Sequence, residues 1–76
     1  MAPGYLHPIG TDSFTDALQK ALDTHFERFG SNASVAYIHP VTEKKFAEEV
    51  VKTRVTVITN NAVLPNYIWI GKTILQ

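Results

Sequence analysis

Between Phe14 and Phe29 the sequence repeats with the period of an α-helix. Phe14, Ala17, Leu18, Ala21, Leu22, His25, Phe26 and Phe29 fall at i, i+3, i+4, i+7, i+8, i+11, i+12 and i+15, which is a single helical face. Asp16, Gln19, Lys20, Asp23, Thr24 and Glu27 fill the opposite face. Ser13 suits the N-cap, with Asp16 three residues on, where a capping box puts an acid or amide. Asp16 and Lys20 stand at i, i+4 in the favourable order, and Gly30 follows Arg28 as a left-handed terminator. An apolar face of that width has to be covered. In a chain of 76 residues, with room for one core, the cover must come from the segments joined to the helix.

Most of the chain beyond Gly30 reads as strand. After a turn at Ser31-Asn32-Ala33, the stretch Ser34 to His39 carries Val35 and Tyr37 on one side and Ala36 and Ile38 on the other. Apolar residues on both sides mark an interior strand, which Pro40 ends. Thr42 is expected to cap a second, shorter helix over 43–52, with Phe46, Ala47, Val50 and Val51 as its apolar stripe. Arg54 to Thr59 alternates with β-branched residues and reads as a strand. A loop from Asn60 to Asn66 opens on Asn60-Asn61 and is stiffened by Pro65. Tyr67 to Ile70 is another strand, and Gly71-Lys72 fits a two-residue turn that returns the chain through Thr73 to Leu75 as a terminal partner strand. Ahead of the helix, residues 1–10 contain Pro3, Gly4, Pro8 and Gly10 and read as an irregular N-terminal arm, with Tyr5, Leu6 and Ile9 laid against the body.

The expected fold is therefore α+β: one domain over residues 11–76, with two helices on one face of a small mixed sheet of three to four strands. Its element order is α-β-α-β-β, with the short terminal strand as an addition at the end. If the strands begun by Val35 and Val55 are neighbours, the second helix joins them as a right-handed crossover and they run parallel. The C-terminal strands would then pair antiparallel.

Charge and composition narrow the function classes. Lys and Arg number 7 and Asp and Glu number 7, so the net charge is zero; no global field draws in a phosphate backbone, which argues against nucleic acid. Zero net charge also removes one barrier to self-association. Without cysteine there is no disulfide, thiolate metal site or cysteine nucleophile. No apolar run is long enough for a membrane span, and the N-terminus lacks the basic start and apolar stretch of a signal peptide. The expected location is the cytoplasm.

Few residues suggest chemistry. Gly71-Lys72-Thr73 matches the end of a phosphate-binding loop, but the glycine that motif needs five residues earlier is Asn66. Asn32-Ala33-Ser34 is a formal glycosylation sequon. His25 sits at the border of the helix's apolar face, where an imidazole shields core and makes one hydrogen bond. The catalytic candidates are His39, at the end of an interior strand, and Glu43 four residues on; such a pair can move protons or help hold a metal. Two ligands are fewer than a zinc site uses, so no cofactor or metal is expected, and a non-enzymatic role fits better. The other carboxylates lie on the polar sides of the helices, and the serines lack a base.

The strand Tyr67-Ile68-Trp69-Ile70 is apolar on both sides, as is the strand holding Ile38. Two helices cover only one face of a sheet this small, so the other needs the arm, a second copy or another protein. Trp and Tyr are frequent interface anchors. Tyr67, Trp69, Ile68, Ile70 and Ile38 are accordingly the expected interface, in a homo-oligomer or with another protein. The alternatives are a small enzyme or metal-assisted site at His39 and Glu43, and a nucleic-acid-binding module, for which Lys44, Lys45, Lys52 and Arg54 are the loose basic cluster. From Tyr37-Ile-His-Pro through Val57-Ile-Thr to Leu64-Pro and Ile70-Gly, the chain also resembles the strand–helix–strand–hairpin rhythm of the tailed-phage capsid core. That likeness is one of fold alone, from which function does not follow; a phage- or virion-related accessory protein is carried as a further alternative.

Overall fold

Helix α1 spans Phe14–Phe29 with the ends its sequence asks for. The Ser13 hydroxyl accepts the Asp16 N–H at 3.2 Å. Gly30 takes φ 71°, a left-handed value that costs glycine nothing, and its N–H donates to the Phe26 carbonyl at 2.8 Å. The computed structural model describes residues 4–72. Within them the strands are β1 (Gly4–Pro8), β2 (Val35–Ile38), β3 (Thr56–Thr59) and β4 (Tyr67–Gly71). They form one mixed sheet in the order β1-β4-β2-β3. β4 runs antiparallel to both β1 and β2, while β2 and β3 are parallel. This is the α+β architecture with a mixed sheet that the pattern predicts.

The N-terminal stretch differs from expectation. Gly4–Pro8 is an edge strand rather than an irregular arm, because Tyr5, Leu6 and His7 carry no proline between them and are free to extend along β4. Pro8 at the last position needs no N–H for the ladder. Beyond it, the Ile9 N–H donates to the Asn66 carbonyl at 2.9 Å, and Ile9 enters the core. The terminal strand expected at Thr73 to Leu75 lies outside the described residues, and Gly71 belongs to β4.

The second helix is two short ones. Helix α2 covers Pro40–Lys45 and α3 covers Ala47–Val50, with Phe46 between them at φ −117°, ψ 30°. The break lets the Phe46 ring turn inward onto Phe14, ring centroids 5.8 Å apart. Val51 falls outside the stripe and is exposed. The cap is His39, not Thr42: its Nδ1 accepts the Val41 N–H at 3.0 Å, and Pro40 then occupies the first turn, where its missing N–H is not needed. Thr42 is instead buried and accepts the Asn66 N–H at 2.9 Å. The Glu49 carboxylate ties α3 to α1, accepting from the Thr15 N–H at 2.8 Å and the Thr15 hydroxyl at 2.9 Å. It thus places negative charge at the N-terminal end of α1, where the helix dipole favours it.

The core lies between α1 and one side of the sheet. Phe14, Ala17, Leu18 and Ala21 from the helix meet Ala36, Ile38, Ile68 and Ile70 from β2 and β4, with Ile9 at one end. His25 is fully buried and its Nδ1 lies 3.0 Å from the Ser31 carbonyl. The carbonyl can only accept, so Nδ1 carries the proton and the buried Nε2 is left without a partner. Phe26 and Phe29, on the same helical face, are partly exposed. The helix lies over β1 and β4, and in its last turn the Arg28 guanidinium sits over the Tyr5 ring of β1, 4.8 Å from the ring centroid.

Candidate functional site

Strand register decides what the sheet shows to solvent. Residues directly opposite one another share a face. Leu6 stands opposite Trp69, Trp69 opposite Tyr37, and Tyr37 opposite Ile58. These four side chains make a row across the whole sheet on the side away from α1. Leu6 is 43% exposed and Ile58 40%; Trp69 and Tyr37 are half-buried against each other, ring centroids 5.5 Å apart. Tyr67, Pro8, Val35 and Thr56 belong to the same side. The strand residues of this face include no Asp, Glu, Lys or Arg.

Trp69 also explains a glycine. A Cβ at Gly4 would collide with the Trp69 indole, so the ring lies over the β1 backbone, which only glycine permits. Gly4 in turn pairs with Gly71 and Gly71 with Val35, giving one end of the face a flat floor.

Of the expected interface residues, Tyr67 and Trp69 lie on this face. Ile38, Ile68 and Ile70 do not: they point toward α1 and are 0% exposed. Alternation correctly separates Ile68 and Ile70 from Trp69, yet it is silent on which side the helix takes. The register adds Leu6, Tyr37 and Ile58. The segment expected to shield the second face, Tyr5 to Ile9, runs within the sheet as β1 and leads into the core, so it does not lie across the face.

His39 and Glu43 are one turn apart at the start of α2. The His39 Nδ1 is occupied by the Val41 N–H, and Glu43 is exposed. Among the described residues, no three His, Asp or Glu side chains come together as a metal-holding group, and the ion pair is Lys20 with Asp12 at 2.9 Å. That contact holds the Lys20 ammonium above its ordinary value, chiefly through the hydrogen bond it donates to Asp12. His7 is on the helix side of β1, its Nδ1 3.0 Å from the Tyr5 hydroxyl. Burial pushes His7 below its ordinary value, the Lys20 charge adds to that, and Asp12 opposes it. Nothing in these surroundings assembles a nucleophile, a base and an oxyanion site.

A mixed polar and apolar feature, to which Gln19, Asp23, Glu27 and Asn32 also contribute, sits on the helix side. A groove of about 780 Å³ runs between α1 and the approach to β3, lined by Leu22, Phe26, Ala33, Arg54 and Val55 among others. Val55, on its wall, and Val57 of β3 are partly buried against the core.

Among the described residues no helix is long and apolar enough to cross a membrane. The chain matches no protein-family model, and no curated protein or solved structure is significantly similar to it.

Proposed function

We propose that this is a protein-interaction domain that self-associates through the sheet face opposite α1. The observation that carries the reading is the row Leu6–Trp69–Tyr37–Ile58, apolar across all four strands, with both ends well exposed. An uncharged face brings no like-charge repulsion when two identical copies meet, and the chain's zero net charge adds none. A nucleic-acid surface of stacked aromatics would carry Lys or Arg among them, and a catalytic site would gather titratable groups; this face has neither. Trp and Tyr at its centre supply large, stiff contact area.

Sedimentation velocity from low to high micromolar protein tests the proposal. The expected result is a concentration-dependent dimer or larger species, accompanied by a blue shift of Trp69 emission as the indole leaves water. A monomer throughout the range, with emission independent of concentration, refutes it.

A further inference from the structure

The outer edge of β3, unpaired among the described residues, is a second surface, and its backbone geometry specifies what it fits. The Thr56 N–H donates to the Ser34 carbonyl and the Asn60 N–H to the Ile38 carbonyl. In a parallel ladder the residues that bond inward alternate with those that bond outward, so Thr56, Ile58 and Asn60 face β2. Val57 and Thr59 then turn their N–H and C=O groups away from the sheet, where β3 has no neighbour among the described residues. Edge strands are normally blunted by proline, charge or a bulge. β1, the opposite edge, carries Pro8. β3 is Thr-Val-Ile-Thr, uncharged, without proline.

We propose that β3 pairs antiparallel with β3 of a second copy, joining two sheets into one of eight strands. A two-fold axis perpendicular to the sheet keeps both α1 helices on one side and makes one residue its own partner. The axis can pass through a bonded or a non-bonded pair; placed at Val57, it lets that outward-facing residue exchange both its N–H and its C=O bond with its own copy. With Val57 opposite the partner's Val57, Thr59 meets the partner's Val55, and Thr56 lies across from the partner's Ile58. The register is self-complementary: it sets apolar or hydroxyl side chains against one another and opposes no like charges within the strand.

Area supplies the second argument. Four strands about 4.8 Å apart, each four or five residues long at about 3.3 Å per residue, give the open face a footprint of about 300 Å². A stable interface takes about 800 Å² from each partner, so a face-to-face contact of one such face is a weak one, in keeping with the concentration-dependent association proposed above. Edge pairing sets two such faces side by side on the same side of one sheet, doubling the footprint to about 600 Å². Edge pairing and face stacking reinforce each other, but the edge contact stands on its own hydrogen bonds and does not require the face.

Measurements on the whole chain separate the two contacts. Amide exchange by NMR reads the edge directly: Val57 and Thr59 amides should be protected at high protein concentration and lose protection on dilution. Thr59→Pro removes an N–H that bonds nothing among the described residues, so circular dichroism should keep the native spectrum while the Val57 amide becomes unprotected. Val57→Cys, in a chain with no cysteine of its own, should oxidise to a covalent dimer, because the Cα spacing of a bonded antiparallel pair lies within disulfide reach; Leu6→Cys on the other edge should not. Leu6→Lys, which weakens the face, should leave Val57 and Thr59 protected. Fast exchange of Val57 and Thr59 at every concentration overturns edge pairing, as does cross-linking of Leu6→Cys as rapid as that of Val57→Cys. A dimer that survives Thr59→Pro but not Leu6→Lys overturns edge pairing and leaves the face reading standing; the opposite pattern does the reverse.

Discussion

Leu6 is the residue on which the face reading can be tested most cleanly. It lies on the edge strand β1, away from β3, and 43% of its surface is open to solvent. Fully burying a leucine stabilises by about 1.5–3 kcal/mol. Covering the exposed fraction is therefore worth about 0.6–1.3 kcal/mol for each copy. A symmetric face-to-face contact uses Leu6 twice, so replacing it should cost about 1.3–2.6 kcal/mol of association, or a dimer weaker by roughly 10- to 80-fold at about 1.4 kcal/mol per decade. Leu6→Lys adds to this the desolvation of two ammonium groups, which makes the range a lower bound. The fold should tolerate the change, since lysine is a common edge-strand residue and its stem can lie along the sheet. Val51→Lys is the control: Val51 is 79% exposed but sits beyond α3, off the face. Dissociation constants from sedimentation or from Trp69 emission on dilution would compare the three proteins. Equal constants for wild type and Leu6→Lys, or an equal loss in Val51→Lys, would refute the assignment of the face.

Three further outcomes rest on particular contacts. Gly4→Val should drive a side chain into the Trp69 indole and destabilise by about 1–3 kcal/mol as an overpacking change; Trp69 is the only tryptophan, so an unchanged emission spectrum and melting temperature would contradict that contact. His7 is held below its ordinary value of 6.5, chiefly by burial. The unfolded chain thus binds the proton first, and the stability tied to neutral His7 is present above 6.5 and lost as pH falls through the lower folded value. Thermal melts should show wild type losing stability more steeply than His7→Gln across that window, and parallel curves would count against it. His25→Ala should cost about 2–4 kcal/mol by opening a cavity and freeing the Ser31 carbonyl. His25→Leu should cost less than that, because the buried Nε2 has no hydrogen bond to lose, and denaturant midpoints would decide between them.

The parts of the fold legible in the sequence are those governed by local periodicity. Phe14 to Phe29 announces its helix, its cap at Ser13 and its stop at Gly30, because spacing and caps act within a few residues. The parallel pairing of β2 with β3 comes from a crossover of ordinary length. Gly4–Pro8 is not legible as a strand: its prolines and glycines obey local turn statistics, and only the company of β4, far along the chain, extends it. Likewise the break at Phe46 answers to Phe14, and the capping role of His39 depends on Pro40 being used as a first-turn residue instead of a terminator. The site suffers the same limit. Alternation in Tyr67-Ile-Trp-Ile shows two apolar faces without revealing which one α1 takes, so the buried isoleucines and the open aromatics look alike until the register is known.

Once register is known, the two unsatisfied features of the molecule have one origin. A single long helix, offset toward β1 and β4, is the main cover for a sheet whose interior strands are apolar on both sides. The side it faces is filled by Ile38, Ile68 and Ile70. The side it does not face keeps Leu6, Trp69, Tyr37 and Ile58, and β3, at the far end of the strand order, has an outer flank unpaired among the described residues. Strands exposed on one side in a self-sufficient sheet alternate apolar with polar, and β4 could have carried Thr or Lys at 67 and 69 at little cost to this core. It carries Tyr and Trp instead, and the chain sets aside Gly4 to seat the indole. Those choices against the solvent pattern are what the proposed self-association would ask of this face, with a second copy covering the row.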